Sequence, residues 1–318
     1  MPTLLSIEAL ENDRQFVERR RMADDSPWGT ARLMWDQRLR AIDDKIAEAK
    51  SRRSAYASVA LIFDGLPVIG QGDIRLDFTT DALASYQKVI AASLASQGDQ
   101  PVAAKGKIKG ADKSKLFIRD IVRGSMGFIL EELAASQTDM FDTPLKSAVE
   151  QATGLIAKLN DASSEEFGVV IETASPRLVG ALQKFTKVLR DSGATTRIVG
   201  DENRVMLGLE DINRLSERFS DVEVTEEDVL HDGILLGILP DSHEFELQLP
   251  DNQGTLKGSV TDDLTFKYVT DQAFKEQLLL KPVKAQVKYT RTSRNGRLIK
   301  QQVSLENLEL RAVTDLLT

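Results

Sequence analysis

Apolar residues near the start of the chain recur at helical spacing. Downstream of Ser26-Pro27, Trp35, Leu39, Ile42, Ile46 and Ala49 fall four and three apart, which keeps them on one seam of a helix. Ser26 reads as an N-cap and Pro27 as the first helical residue, where a missing N–H is harmless. The stretch before it carries Ile7, Leu10 and Val17 on a comparable face. Residues 1–54 are therefore expected to form an antiparallel helical hairpin joined near Ala23–Ser26, with Arg19-Arg20-Arg21 and Arg52-Arg53 on its solvated face.

The period then changes. Ser58 to Phe63 predicts a strand ending at the turn dipeptide Asp64-Gly65, and Val68-Ile69 and Ile74 to Phe78 continue in β fashion. A helix is expected from about Thr80 to Ser96, with Leu83, Tyr86, Ile90 and Leu94 on one side, followed by a loop over 97–114. Leu116 to Leu133 reads as a hairpin turning at Arg123-Gly124-Ser125. Thr143-Pro144 and Ser175-Pro176 open two more helices, the second stopping at Gly193. A short hairpin over 195–207, turning at Asp201-Glu202-Asn203, and a helix from about Glu210 to Phe219 complete a mixed α+β domain over 55–221.

From Val222 the texture is β. Ile234 to Leu239 runs into Pro240-Asp241, Phe245, Leu247 and Leu249 alternate with polar residues, and Leu256 to Val260 follows a turn at 251–254. A helix over Asp271 to Leu279 precedes Val283, Ala285, Val287 and Tyr289, which alternate with polar positions, and Asn295-Gly296 turns the chain back. Three strands, a helix and two strands over 222–318 predict a small β-barrel, OB-like or SH3-like. The fold class is thus α+β, in three blocks.

Composition adds limits. The chain has no cysteine, which excludes disulfides, thiolate metal sites and cysteine nucleophiles, and fits a cytoplasmic setting. No apolar run approaches the ~20 residues of a membrane span, and the N-terminus turns charged too soon for a secretory signal, so no membrane partner is expected. The net charge of −8 disfavours a general affinity for nucleic acid across the surface.

Catalytic signatures are weak. His231, near Asp228 and Asp232, and His243 are the only two histidines, both placed at the ends of the first long barrel strand, without the spacing of a zinc motif. Ser125 lacks the glycine two positions earlier that a nucleophile elbow requires. Gly70-Gln71-Gly72 has no third glycine, and Lys105, Lys107, Lys109 and Lys113 lie outside any phosphate-binding box. Neither a cofactor nor a metal is expected.

One charge feature stands apart. Lys281, Lys284, Lys288, Arg291, Arg294, Arg297 and Lys300 occur with no acid among them, around Tyr289. With Val283, Val287 and Tyr289 inward, Lys284, Gln286, Lys288 and Thr290 share the outer face. Such a hairpin can track a phosphate backbone, although no exposed aromatic is expected there for base stacking. The leading expectation is a non-catalytic protein-interaction or regulatory component, with Trp35, Leu39, Ile42 and Ile46 contacting a protein partner or a second copy. The alternative is nucleic-acid binding through residues 281–300, by Lys284, Lys288, Arg291, Arg294, Arg297 and Lys300.

Overall fold

Two runs of strand-forming sequence each gather their own sheet. The structure is a computed structural model and describes residues 2–23, 30–51, 54–70, 73–98, 111–122, 126–133, 141–250 and 253–310. The Ser26-Pro27 cap, most of the 97–114 loop, the Arg123–Ser125 turn, Arg52-Arg53, Gln71-Gly72 and the lysines from 105 to 109 lie outside the described residues. The chain divides into two compact units, one of Met1–Leu94, Gly110–Ala162 and Lys184–Ser216, the other of Ala95–Lys109, Ser163–Gln183 and Glu217–Thr318.

The elements run α1 (Thr3–Met22), α2 (Thr30–Ser51), β1 (Ser58–Gly65), β2 (Val68–Ile69), β3 (Asp73–Ile74), α3 (Leu76–Ala95), a 3-10 turn (Ala111–Ser114), β4 (Phe117–Val122), β5 (Met126–Glu131) and α4 (Pro144–Asp161). They continue as α5 (Ser164–Thr173), α6 (Pro176–Asp191), β6 (Ala194–Val199), β7 (Arg204–Leu207), α7 (Leu209–Ser220), β8 (Val222–Leu239), β9 (Glu244–Gln248), β10 (Thr255–Val260), α8 (Asp262–Thr270), α9 (Gln272–Leu278), β11 (Pro282–Arg294) and β12 (Arg297–Leu310). The mixed α+β class is as expected.

In the first unit, β1 is central in a five-stranded sheet of order β4-β5-β1-β6-β7, with every neighbour antiparallel. Its alternation sends side chains to two faces. Phe63 meets Phe78 of α3 edge-on at 5.2 Å on one face. On the other, Ala60, Ile129 and Val199 bury Leu5 of α1. The expected strand over 74–78 ends at Ile74. Leu76 and Phe78 are helical: the Thr79 N–H donates to the Arg75 carbonyl at 3.0 Å, closing the first turn, and Phe78 turns into the core. Of the side expected inward, Tyr86 and Ile90 are fully buried and Leu83 and Leu94 half-buried, and Phe78, Ala82, Val89 and Ala92 are buried beside them.

The second unit contains a closed ring of five strands in the order β10-β12-β11-β8-β9. Every pair is antiparallel except β10 with β12, a short parallel ladder joining Ser259 to Ser304 and Val260 to Leu305. Closure needs close backbone approach at Gly258, where a Cβ would lie 2.4 Å from the Val303 carbonyl oxygen. Asn295 and Gly296 both take positive φ (50° and 74°), as a two-residue hairpin turn demands. Leu235, Phe245, Leu247, Val283, Ala285, Val287 and Leu305 fill the ring, and Leu264, Tyr268 and Leu278 of α8 and α9 pack onto them. The first strand is longer than its Ile234–Leu239 core. It runs 18 residues from Val222, which places His231 mid-strand rather than at an end.

Candidate functional site

The helical seam is internal. Leu39 and Ile42 are buried with Val17, and Trp35 and Ile46 pack against them with Leu10. Arg21–Asp36 at 2.7 Å and Arg14–Asp43 at 2.8 Å fix the antiparallel register of α1 and α2. Of the four residues expected to meet a partner, Leu39 and Ile42 are buried in the contact with α1, and Trp35 and Ile46 are half-buried at its edge. The apolar residues this hairpin leaves outside are others, such as Phe16, Leu33 and Met34.

The basic run is built into its own unit. Arg294 donates from Nη1 to the Ser164 carbonyl at 2.7 Å and from Nη2 to the Ser164 hydroxyl at 2.9 Å, and it covers the Phe167 ring at 5.3 Å. Gly168 leaves room for this guanidinium, since a Cβ there would stand 3.2 Å from Nη1. Lys300 donates to the Ala174 carbonyl at the C-terminal end of α5. Arg291 pairs with Glu227 at 2.6 Å and donates to Gln301. Lys288 lies 3.4 Å from Glu306. Lys284 is opposite Asp232 on β8 and Glu309 on β12, and Arg297 is exposed beside the turn. The acids missing from the run in sequence sit on the neighbouring strands.

The two faces of β11 also differ from the simple alternation. Thr290, expected outside, is buried at 5% exposure, and Thr292 two positions on is buried at 2%. Tyr289, expected inward, is half-buried where the ring core ends. Its hydroxyl shares a 2.9 Å hydrogen bond with His231 Nε2, and Arg291 lies 5.4 Å from its ring centroid. Burial raises the Tyr289 pKa, with Arg291 opposing. His243, in left-handed backbone (φ 51°), lies 3.8 Å from Asp262.

The outer face of the ring carries a pattern that sequence reasoning missed. Leu230 is 73% exposed. Asp228 and Asp232 flank it along β8, while Gln286 stands opposite it on β11 between Lys288, opposite Asp228, and Lys284, opposite Asp232. An apolar side chain thus sits within a frame of alternating charge. The signal was present in the sequence as Asp-Val-Leu-His-Asp, but only strand pairing places the lysines around it.

Two polar features belong to the first unit. Lys146 of α4 is buried, donates to the Ser54 carbonyl, and lies 3.4 Å from Asp142 and 3.5 Å from Asp201. One turn later, the Glu150 carboxylate accepts from the backbone N–H of Asp201 (2.7 Å), that of Asn203 (2.8 Å) and the Asn203 side chain (3.0 Å). Asp201 in turn accepts from the Thr3 N–H at the start of α1. This network pins the β6–β7 turn. A cavity of ≈ 490 Å³ lies beside α1, lined by Glu8, Asn12, Asp64, Thr195, Arg197 and Met206 among others, with Glu8 and Arg197 closed on each other at 2.7 Å.

Among the described residues, no group of three or more histidines and carboxylates is placed to hold a metal ion, and no helix is long and apolar enough to cross a membrane. No protein-family model, curated protein or solved structure matches the chain.

Proposed function

We propose that the protein is a non-catalytic interaction component, and that the outer face of its five-stranded ring, centred on Leu230, is where a protein partner docks. The carrying observation is the exposed leucine framed by Asp228, Asp232, Lys284 and Lys288. A central apolar anchor within a polar rim is the anatomy of a protein interface, and mixed charge selects a partner by complementarity. In the same reading the ring is an OB-type closure. Its strands, in chain order, lie 1-2-3-5-4 around the ring, with helices between the third and fourth.

Nucleic-acid binding by residues 281–300 is the weaker reading. Phosphate contacts need cations free to release their counterions, whereas Arg291 and Lys288 face carboxylates and Arg294 and Lys300 hold α5. A photo-crosslinking residue at position 230 of the full chain tests the proposal in native extract, with and without nuclease. A protein adduct that resists nuclease and is competed by the unmodified chain, but not by Leu230→Asp, is the expected result. An adduct abolished by nuclease, with affinity for single strands falling steeply with salt, would refute it.

A further inference from the structure

Among the described residues, the strand β4 is an end strand of its sheet and pairs with β5 alone. Natural sheets guard such edges with charged side chains, proline, bulges or very short strands, and β4 has a charged pair and a bulge at its middle with apolar residues on either side. Here the edge reads Phe-Ile-Arg-Asp-Ile-Val, with Phe117, Ile118 and Ile121 exposed at 46%, 57% and 51%. Read antiparallel to itself about a two-fold axis between Arg119 and Asp120, the segment is self-complementary. Phe117 then faces Val122 of a second copy, Ile118 faces Ile121, and Arg119 faces Asp120.

A regular strand forbids that register. Directly opposed antiparallel residues must turn their backbone groups the same way, and positions an odd number apart turn them oppositely. The bulge in β4 removes the obstacle. Ile118 lies opposite Leu130 but Asp120 lies opposite Ile129, so the pairing slips by one residue at Arg119. After the slip Ile118 and Ile121 share one orientation, while Phe117 and Val122 share the other. The Ile121 N–H is held at 2.8 Å by the Asp120 carboxylate instead of by β5, which assigns the Ile118/Ile121 orientation to the open edge.

We infer that the chain forms a two-fold dimer by antiparallel pairing of β4 with β4 of a second copy. In the dimer Asp120 turns from the Ile121 N–H to Arg119 of the second copy, and the freed N–H donates to the Ile118 carbonyl across the axis. The charged pair occurs twice, once on each side of the axis, and four isoleucines meet on one sheet face.

Sedimentation equilibrium of the full chain tests this. The unmodified protein is expected to be a dimer. Arg119→Asp alone sets acid against acid, and Asp120→Arg alone sets base against base. Each should raise the dissociation constant roughly tenfold or more, as like charges directly opposed do. Mixing the two variants should restore a dimer, because every contact is then complementary. Ile121→Lys should abolish it with unchanged melting. A second readout does not depend on these variants. The chain has no cysteine, so Arg119→Cys mixed with Asp120→Cys should oxidise to a covalent dimer. An unmodified chain that stays monomeric, or single charge variants that dimerise as well as their mixture, would overturn the inference.

Discussion

Arg294 sits in the most basic stretch of the chain, yet its contacts make it a fastener for α5. Replacing it with glutamine removes a two-pronged donation to Ser164 and the cover over Phe167. Hydrogen bonds from a charged donor are worth up to a few kcal/mol, but these reach solvent, and glutamine can retain one of them. Adding a partly exposed cation–π contact gives a loss of about 1–2 kcal/mol. That corresponds to a roughly 5- to 30-fold increase in local opening. Hydrogen exchange of peptides covering α5 reads the effect directly, since opening of that helix sets their rate. Arg294→Lys should behave more like glutamine than like arginine, because the ammonium lacks the planar fork. Arg297→Gln is the control, an exposed position expected to change stability by less than about 0.5 kcal/mol. Equal α5 exchange in Arg294→Gln and Arg297→Gln would refute the reasoning and return Arg294 to the solvated surface.

Other perturbations have similarly definite outcomes. Leu39→Asp places a charge in the α1–α2 seam and should destabilise that hairpin by several kcal/mol, read as lost helical circular dichroism, while Met34→Asp at a 64% exposed position should leave it intact. Glu150→Gln replaces an acceptor-only carboxylate with a group that must turn an NH₂ toward the β6–β7 turn. A loss of about 2–3 kcal/mol is expected, with faster amide exchange at Asp201 and Asn203. Burial pushes the Tyr86 hydroxyl well above the ordinary phenol value of 10.0. Its folded pKa exceeds its unfolded one, so the associated stability is complete below pH 10 and is lost as the pH climbs toward the folded value. Tyr86→Phe should flatten that alkaline decline, measured as urea midpoints between neutral pH and pH 11.

Local rules were legible in the sequence where the local chain decides the outcome. The 35–39–42–46 seam found its partner in α1 because four-three spacing allows one covered face. Asn295-Gly296 produced its hairpin because both residues accept positive φ. Thr143 caps α4 by accepting from the Lys146 N–H. What stayed hidden depends on pairing between distant segments. The acid that pairs with Arg291, Glu227, lies on β8 and the one beside Lys288, Glu306, on β12, both outside the run, so a one-dimensional charge count saw an unbalanced stretch. The contact between Arg294 and Ser164 spans 130 residues. The bulge at Arg119 has no glycine or proline to announce it. Lys146 and Glu150 stand an i,i+4 step apart among the buried residues of α4, but their partners, Asp142 and Asp201 for the lysine and the 201–203 turn for the glutamate, lie outside that helix.

The parallel ladder that shuts the ring has a consequence for synthesis. A ribosome adds about 5–20 residues per second, so α5 emerges roughly 6–26 s before the guanidinium that will fasten it. During that interval β8, β9 and β10 exist as a meander whose outer edges await β11 and β12. A nascent chain paused before Arg294 therefore displays two unpaired strand edges and a loosely held helix, the form most open to chaperones or to another copy being made alongside it.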